Sequence, residues 1–416
     1  MEISPRQLVR SALGLGSGEF LARIFSVAVV ILLGHLYGVV ILGVYALAMT
    51  ISQYLAPVID FGLRHIGARL IARFPRSASD IATQVQRRRL LMAAAALPFV
   101  LLYAALAHLS PELKIFLFLF SASGALYALS LDWAAWGREQ MQLVGMGKAI
   151  VPGCILLGLL IALFAGHVLT WLVVGNLVGF LLQGCVFWLW WQRRRREIGG
   201  SERGVVEIAE AMQWRRAGVM GLAWLGNMAF NTTDMLVLGA FSNPQQVGLY
   251  SASYRILNQV LVAYYLLTSV LYPQLARQNQ EQRRRMLRPR IFMLLFAGGT
   301  ILAVLLAIFR RPVLGIVFGH AFILAAPLLL LLACSIPLDF LVSYLSNAYF
   351  AWGMERSVLV CAGIAAGVNI MLNLATIPRY GAVAAAVNTL ISYVVYLGML
   401  AWAGRRALAP VASPGN

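Results

Sequence analysis

Twelve apolar runs, each long enough to cross a hydrocarbon core, take up most of this 416-residue chain. They fall at about 13–33, 39–59, 89–108, 114–132, 149–166, 168–191, 217–240, 247–271, 291–309, 323–344, 358–377 and 382–403. In lipid every backbone N–H and C=O must be satisfied within its own segment or a closed sheet. Runs this long and this uniformly apolar do not suit barrel strands. The expected fold is therefore an all-α integral membrane protein of about twelve transmembrane helices. Composition agrees: 12% of residues are charged, half of the roughly 25% that a soluble surface carries.

The basic residues set the orientation. All but two of the 33 are arginine, the exceptions being Lys114 and Lys148. Alternate connections hold 27 on one side and 4 on the other, and Arg23 and Arg255 lie within spans. The positive-inside rule then puts both termini in the cytoplasm, which itself requires an even number of spans. The same bias accounts for the net charge of +18 without nucleic acid as a partner. The outward loops are short, and no phosphate-binding glycine loop, Gly-x-Ser-x-Gly or His-Glu-x-x-His occurs. No catalytic residue is expected, and the chain reads as no enzyme. Cys154, Cys185, Cys334 and Cys361 lie in apolar runs without ligand spacing and read as packing residues.

The longest cytoplasmic link divides the chain into an N-terminal six-helix lobe (1–191), a basic linker (192–216), a C-terminal six-helix lobe (217–404) and a cytoplasmic tail (405–416). The lobes echo each other. Gly34, Gly43 and Tyr45 recur as Gly239, Gly248 and Tyr250, and Ala135-Trp136-Gly137-x-Glu139 recurs as Ala351-Trp352-Gly353-x-Glu355. Six-plus-six repeats are a transporter architecture.

The segments Gly18-Glu19-Phe20-Leu21-Ala22-Arg23, Leu33-Gly34-His35-Leu36-Tyr37-Gly38, Leu42-Gly43-Val44-Tyr45-Ala46 and Asp60-Phe61-Gly62-Leu63 resemble the opening of bacterial polysaccharide-biosynthesis flippases. These are Wzx-like members of the multidrug/oligosaccharidyl-lipid/polysaccharide exporter superfamily. The resemblance implies two six-helix lobes in a V around a cavity, in a multi-pass protein of the bacterial inner membrane. It implies an undecaprenyl-pyrophosphate-linked oligosaccharide as substrate, for O-antigen or exopolysaccharide assembly, with membrane lipids, a polysaccharide polymerase and a chain-length regulator as partners. It also implies alternating access driven by sodium or protons, with no other cofactor. A drug or metabolite antiporter of the same fold is the alternative, and a membrane-embedded polymerase or ligase a more distant one.

An ionisable group inside a span costs on the order of 3 kcal/mol to insert, so each one needs a reason. Arg23 has Glu19 one turn earlier; Arg255 has Asn258 at i+3. A guanidinium offers both charge and bidentate geometry to phosphate oxygens. Arg23 and Arg255 are the candidate pyrophosphate ligands, with Glu19 as an alternative local partner for Arg23. Arg64 follows Asp60 and could meet an incoming headgroup, though positive-inside anchoring explains its location equally well. Asp234 ends a polar stripe with Asn227 and Asn231, and Asn369, Asn373, Asn388 and Thr389 are polar in the last two spans. Oxygen donors of this kind suit a hard cation. With the resemblance, Asp234, Asn369, Asn373 and Thr389, and Ala385 through its carbonyl, become the candidate sodium or proton site; interhelical hydrogen bonding is the competing role. Asp60, Asp132 and Asp339 read as cytoplasmic helix-end acids that snorkel or pair with arginine clusters. Arg87–Arg89 read as anchoring.

Overall fold

A backbone that has no water to bond to closes its own hydrogen bonds, and the computed structural model of the chain is built of helices. It describes residues 5–195, 214–277, 281, 283 and 289–407. These hold thirteen α-helices. They are α1 (Pro5–Asp60), α2 (Leu63–Arg73), α3 (Ala78–Leu106), α4 (Pro111–Gly124), α5 (Asp132–Gly137), α6 (Met141–Ala165) and α7 (Val168–Arg195). After the linker come α8 (Trp214–Phe241), α9 (Pro244–Ala276), α10 (Pro289–Phe318), α11 (Ala326–Ala333), α12 (Ile336–Ala351) and α13 (Glu355–Ala407).

Twelve crossings follow from these elements. Gly16–Asp60 spans 45 residues and Glu355–Gly404 spans 50, where one crossing needs about 20. Each is two crossings joined at a glycine: Gly38 (φ 76°, ψ −170°) and Gly381 (φ 58°, ψ −137°), backbone angles that a residue with a Cβ rarely adopts. Helices α3, α6, α7 and α10 are each long and apolar enough for one crossing, α8 and α9, at 28 and 33 residues, are each long enough for one more, and α4 continues through a 3₁₀ turn into α5 as another. The last is the pair α11 and α12, bent by 44° at Cys334–Ser335.

The structure differs from the sequence reading in two places. The outward loop expected over Arg310–Phe322 is largely helix, because α10 runs on to Phe318. A charged pair past the hydrocarbon edge leaves the membrane without ending its helix. Asp339, expected near a cytoplasmic end, is in the first turn of α12, just past the bend, and only 3% exposed.

The packing forms two units, Met1–Tyr37 with Val44–Leu225, and Gly38–Gly43 with Gly226–Asn416. The expected linker falls mostly in 196–213 and the tail mostly in 408–416, outside the described residues. In the first unit, Trp133 of α5 is fully buried among Leu63, Ile71, Val85, Val144 and Phe187. That core seats α2. Its buried Leu63, Gly67, Leu70 and Ile71 form one helical stripe, so it packs by one face and carries Arg64 and His65 beside the spans. In the second unit, Leu275, Leu345, Tyr349, Trp352 and Leu400 pack together. There Gly43 lies so close to Gly248 that a Cβ on it would come 2.7 Å from the Gly248 nitrogen. The two glycines of the sequence echo thus let the two helices approach closely here.

Candidate functional site

The first unit holds a cavity of about 350 Å³ whose charged lining is Asp60, Arg64 and Lys148, with His65, Tyr127 and Trp136 beside them. A tight turn presents these groups. Phe61 (φ 34°) and Gly62 (φ 81°) reverse the chain after Asp60 and start α2 with Arg64 facing back to the spans; such backbone strain recurs at functional sites.

Behind the cavity is a buried charge network. Arg89, 0% exposed, donates from Nε to Asp60 Oδ1 at 2.8 Å. Its Nη1 donates to the Ser130 carbonyl at 2.5 Å, and its guanidinium lies 4.9 Å from the Tyr127 ring centre. Tyr127 donates its hydroxyl to Asp60 Oδ2 at 3.0 Å and accepts from Arg64 Nη1 at 3.0 Å. Arg64 Nη2 pairs with Asp132 Oδ2 at 2.8 Å. Asp60 and Asp132 thus do pair with arginines, as the sequence suggested, but Arg89 is a buried structural cation and not an anchor. Nothing in a run of three arginines marks which of them turns inward.

Glu19 makes a looser arrangement. It lies 3.6 Å from Arg23 and 3.4 Å from Lys148, longer than the 2.7–2.9 Å of a charge-assisted hydrogen bond. Arg23 is 61% exposed at its side chain and connects to the cavity through the acid it shares with Lys148. Around this cavity Arg23, Arg64, Arg89 and Lys148 face Asp60, Asp132 and Glu19, a surplus of one positive charge. The long pairs leave Lys148 and Arg23 able to exchange partners, while the buried Arg89–Asp60 pair holds the wall. Burial, then Arg64, lowers the His65 pKa below its ordinary 6.5, keeping that ring neutral near neutral pH. A second cavity of about 200 Å³, lined by Ser26, Tyr45, Gln53 and Asn176, shares Tyr127 and Ala56 with the first.

The second unit brings together most of the candidate ion residues, in two hydrogen-bonded rows. Tyr250 donates its hydroxyl to Asp234 and lies 3.5 Å from the Thr389 hydroxyl. Thr389 donates to the Ala385 carbonyl at 2.9 Å. In the other row Asn388 donates to Asn373 Oδ1 (2.9 Å), Asn373 to Asn369 Oδ1 (2.8 Å), and Asn369 to Ser392 (3.0 Å). Asn388 and Thr389 are neighbours on α13, so the rows meet there. The carboxylate, hydroxyl, carbonyl and amide oxygens of these groups suit a hard cation, and Asp234 Oδ2 and the Asn369 and Asn373 amide oxygens already accept hydrogen bonds. The sequence reading missed Tyr250, although it had marked it as the echo of Tyr45. Arg255 is half-buried and Asn258 exposed on α9. The Asn227 and Asn231 side chains lie outside the described residues.

A model of polysaccharide biosynthesis proteins matches residues 8–279. The chain belongs to that family. Agl15 of Haloferax volcanii, described as a probable low-salt glycan biosynthesis flippase, is 25% identical over 186 residues. Those residues are 41% of this chain and 37% of the relative, so the match spans little more than a third of Agl15. Among solved structures, the lipid II flippase MurJ in an inward closed conformation superposes with a TM-score of 0.71 at 15% identity, over 94% of this chain and 87% of that one. An inward-facing multidrug-resistance MATE transporter of the MOP superfamily gives 0.70 at 14%, over 94% and 96%. At these identities the likeness establishes the fold: this family member is a multi-pass membrane protein with the architecture that MurJ and MATE transporters share.

Proposed function

We propose that the chain is a flippase for undecaprenyl-pyrophosphate-linked oligosaccharide, moving it from the cytoplasmic to the periplasmic leaflet of a bacterial inner membrane. The observation that carries this reading is the positively biased cavity of the first unit, in a chain of the polysaccharide biosynthesis family. A pyrophosphate takes charge and directional donors from Arg64 and Lys148, with Arg23 joining as Glu19 is shared out. The charge of Asp60 is already matched by Arg89, and both its oxygens accept hydrogen bonds, so it has little left to offer an organic cation; this favours the flippase over the antiporter. The protein moves its cargo by alternating access, driven by a sodium ion or a proton taken up at Asp234 with Thr389, Asn369, Asn373 and the Ala385 carbonyl. It delivers substrate to a polymerase and chain-length regulator for O-antigen or exopolysaccharide.

Deleting the chain and analysing the lipids tests this. The expected result is undecaprenyl-linked oligosaccharide accumulating in the cytoplasmic leaflet. Unchanged lipid pools with altered sensitivity to cationic dyes would favour the antiporter.

A further inference from the structure

The smaller cavity of the first unit, about 200 Å³, is lined by polar groups that the fold leaves unsatisfied. Asn176 of α7 is 1% exposed and forms part of its wall. Its Nδ2 donates to the Phe120 carbonyl at 3.0 Å and to the Ser123 hydroxyl at 2.7 Å. An amide nitrogen has two hydrogens, so both are used and the amide is fixed with its oxygen left over. Among the described residues nothing donates to Asn176 Oδ1. Ser52 of α1 lines the same space, and its Oγ is buried without a hydrogen-bond partner among the described residues. Buried polar atoms are rarely left in that state. Gln53, next to Ser52 on α1, adds a second amide to the lining.

The rest of the wall limits what can satisfy these groups. Val29, Ile155 and Phe180 give it apolar and aromatic faces, and none of its lining side chains is charged. A cation finds no carboxylate there and an anion finds no arginine or lysine, so burying either is costly. The volume is many times the share of about 30 Å³ that one water takes in the liquid. A neutral polyhydroxyl ring suits the whole space. Each of its hydroxyls both donates and accepts, and its C–H faces pack on the apolar walls.

The two cavities of the unit share Tyr127 and Ala56. The Tyr127 hydroxyl is held between Asp60 and Arg64. The ring is therefore a fixed partition with charged groups lining one side and neutral ones the other. A sugar joined to a pyrophosphate is divided in the same way, a neutral ring bonded to an anionic group.

We infer that the smaller cavity binds the first sugar of the lipid-linked substrate, a neutral pyranose, through Asn176 Oδ1, the Ser52 hydroxyl and the Gln53 amide. The pyrophosphate then lies across Tyr127, at Arg64 and Lys148. The uncharged wall rejects a uronic acid in this position. This assignment rests on the flippase function and adds a sugar specificity to it.

Calorimetry of short-chain substrate analogues on the full chain in lipid nanodiscs tests it. The probes are farnesyl pyrophosphate alone, and farnesyl pyrophosphate carrying glucose, galactose, N-acetylglucosamine or glucuronic acid on its terminal phosphate. At least one neutral sugar should tighten binding by about tenfold or more over the bare probe, as two or three hydrogen bonds would, and glucuronic acid should not. Ser52→Ala should remove about three- to tenfold of that gain, the scale of one hydrogen bond. It should leave the bare probe's affinity unchanged and the melting temperature no lower, since it deletes a buried polar atom that has no partner in the fold. Val151→Phe, which fills the cavity from α6, should abolish the gain and spare the bare probe. Normal binding of the bare probe with no gain from any neutral sugar overturns the sugar site and leaves the headgroup site standing. So does an equal gain from glucuronic acid, or a gain that both variants leave intact. Failure of every probe to bind overturns the headgroup site, and the sugar site with it.

Discussion

Arg89 and Asp60 meet 2.8 Å apart at the base of the first unit's cavity, with the arginine side chain entirely out of contact with its surroundings' solvent. Removing one partner of such a pair strands the other, at roughly 3–5 kcal/mol, while replacing both with apolar groups of similar volume is far milder. Arg89→Met or Asp60→Leu should therefore lower the melting temperature in nanodiscs steeply, and the double variant should recover most of the loss. A double variant as unstable as the worse single would show that the ion pair itself is indispensable.

Arg64 and Lys148 bear differently on an anion in the cavity. Arg64 is fixed by Tyr127 and Asp132, so its donors are already aimed. Arg64→Gln should weaken binding of inorganic pyrophosphate to the purified chain by about ten- to a hundredfold, the range for a charged hydrogen bond. Lys148 is more exposed and loosely paired, and Lys148→Gln should cost no more than about fivefold. Calorimetry of pyrophosphate binding gives both numbers. Wild-type affinity in Arg64→Gln would remove this cavity from headgroup recognition.

His65 sits edge-on to Trp136 at 5.3 Å between ring centres. Burial and the neighbouring Arg64 hold its pKa below the unfolded value of 6.5. The unfolded chain then binds the proton more readily, so this residue's contribution to stability is whole above pH 6.5 and is lost as pH falls below it. His65→Gln should flatten the fall in melting temperature between neutral and mildly acid pH. Parallel curves for variant and wild type would mean that other groups set the acid sensitivity.

Gly43 and Gly248 are chosen for space. A methyl on Gly43 would run into the Pro244 carbonyl, and one on Gly248 into that of Val39. Gly43→Ala and Gly248→Ala should each destabilise by about 1–3 kcal/mol through overpacking. Gly363→Ala, a helical position with nothing within 4 Å, should gain up to about 1 kcal/mol from helix propensity. Thermal melts of the three variants side by side check the ranking.

The helical class and the number of crossings were legible in the sequence, because each depends on transfer between water and lipid along a local stretch of chain. The breaks at 34–38 and 378–381 were legible for a related reason, since an outward turn must interrupt an apolar run wherever it falls, but that each is a single glycine kink was not. Partnership was not. Arg89 reaches Asp60 across 29 residues and Arg64 reaches Tyr127 across 63; both arginines sit among others of the same local appearance. The buried Asp339 carboxylate needed a helix bend, Tyr265 of α9 and Tyr393 of α13 to converge on it. Helix rotation and crossing decide which faces meet, and those are set by packing across the whole unit. Hydropathy placed each of these residues in or beside the membrane, and only the tertiary structure gave them partners.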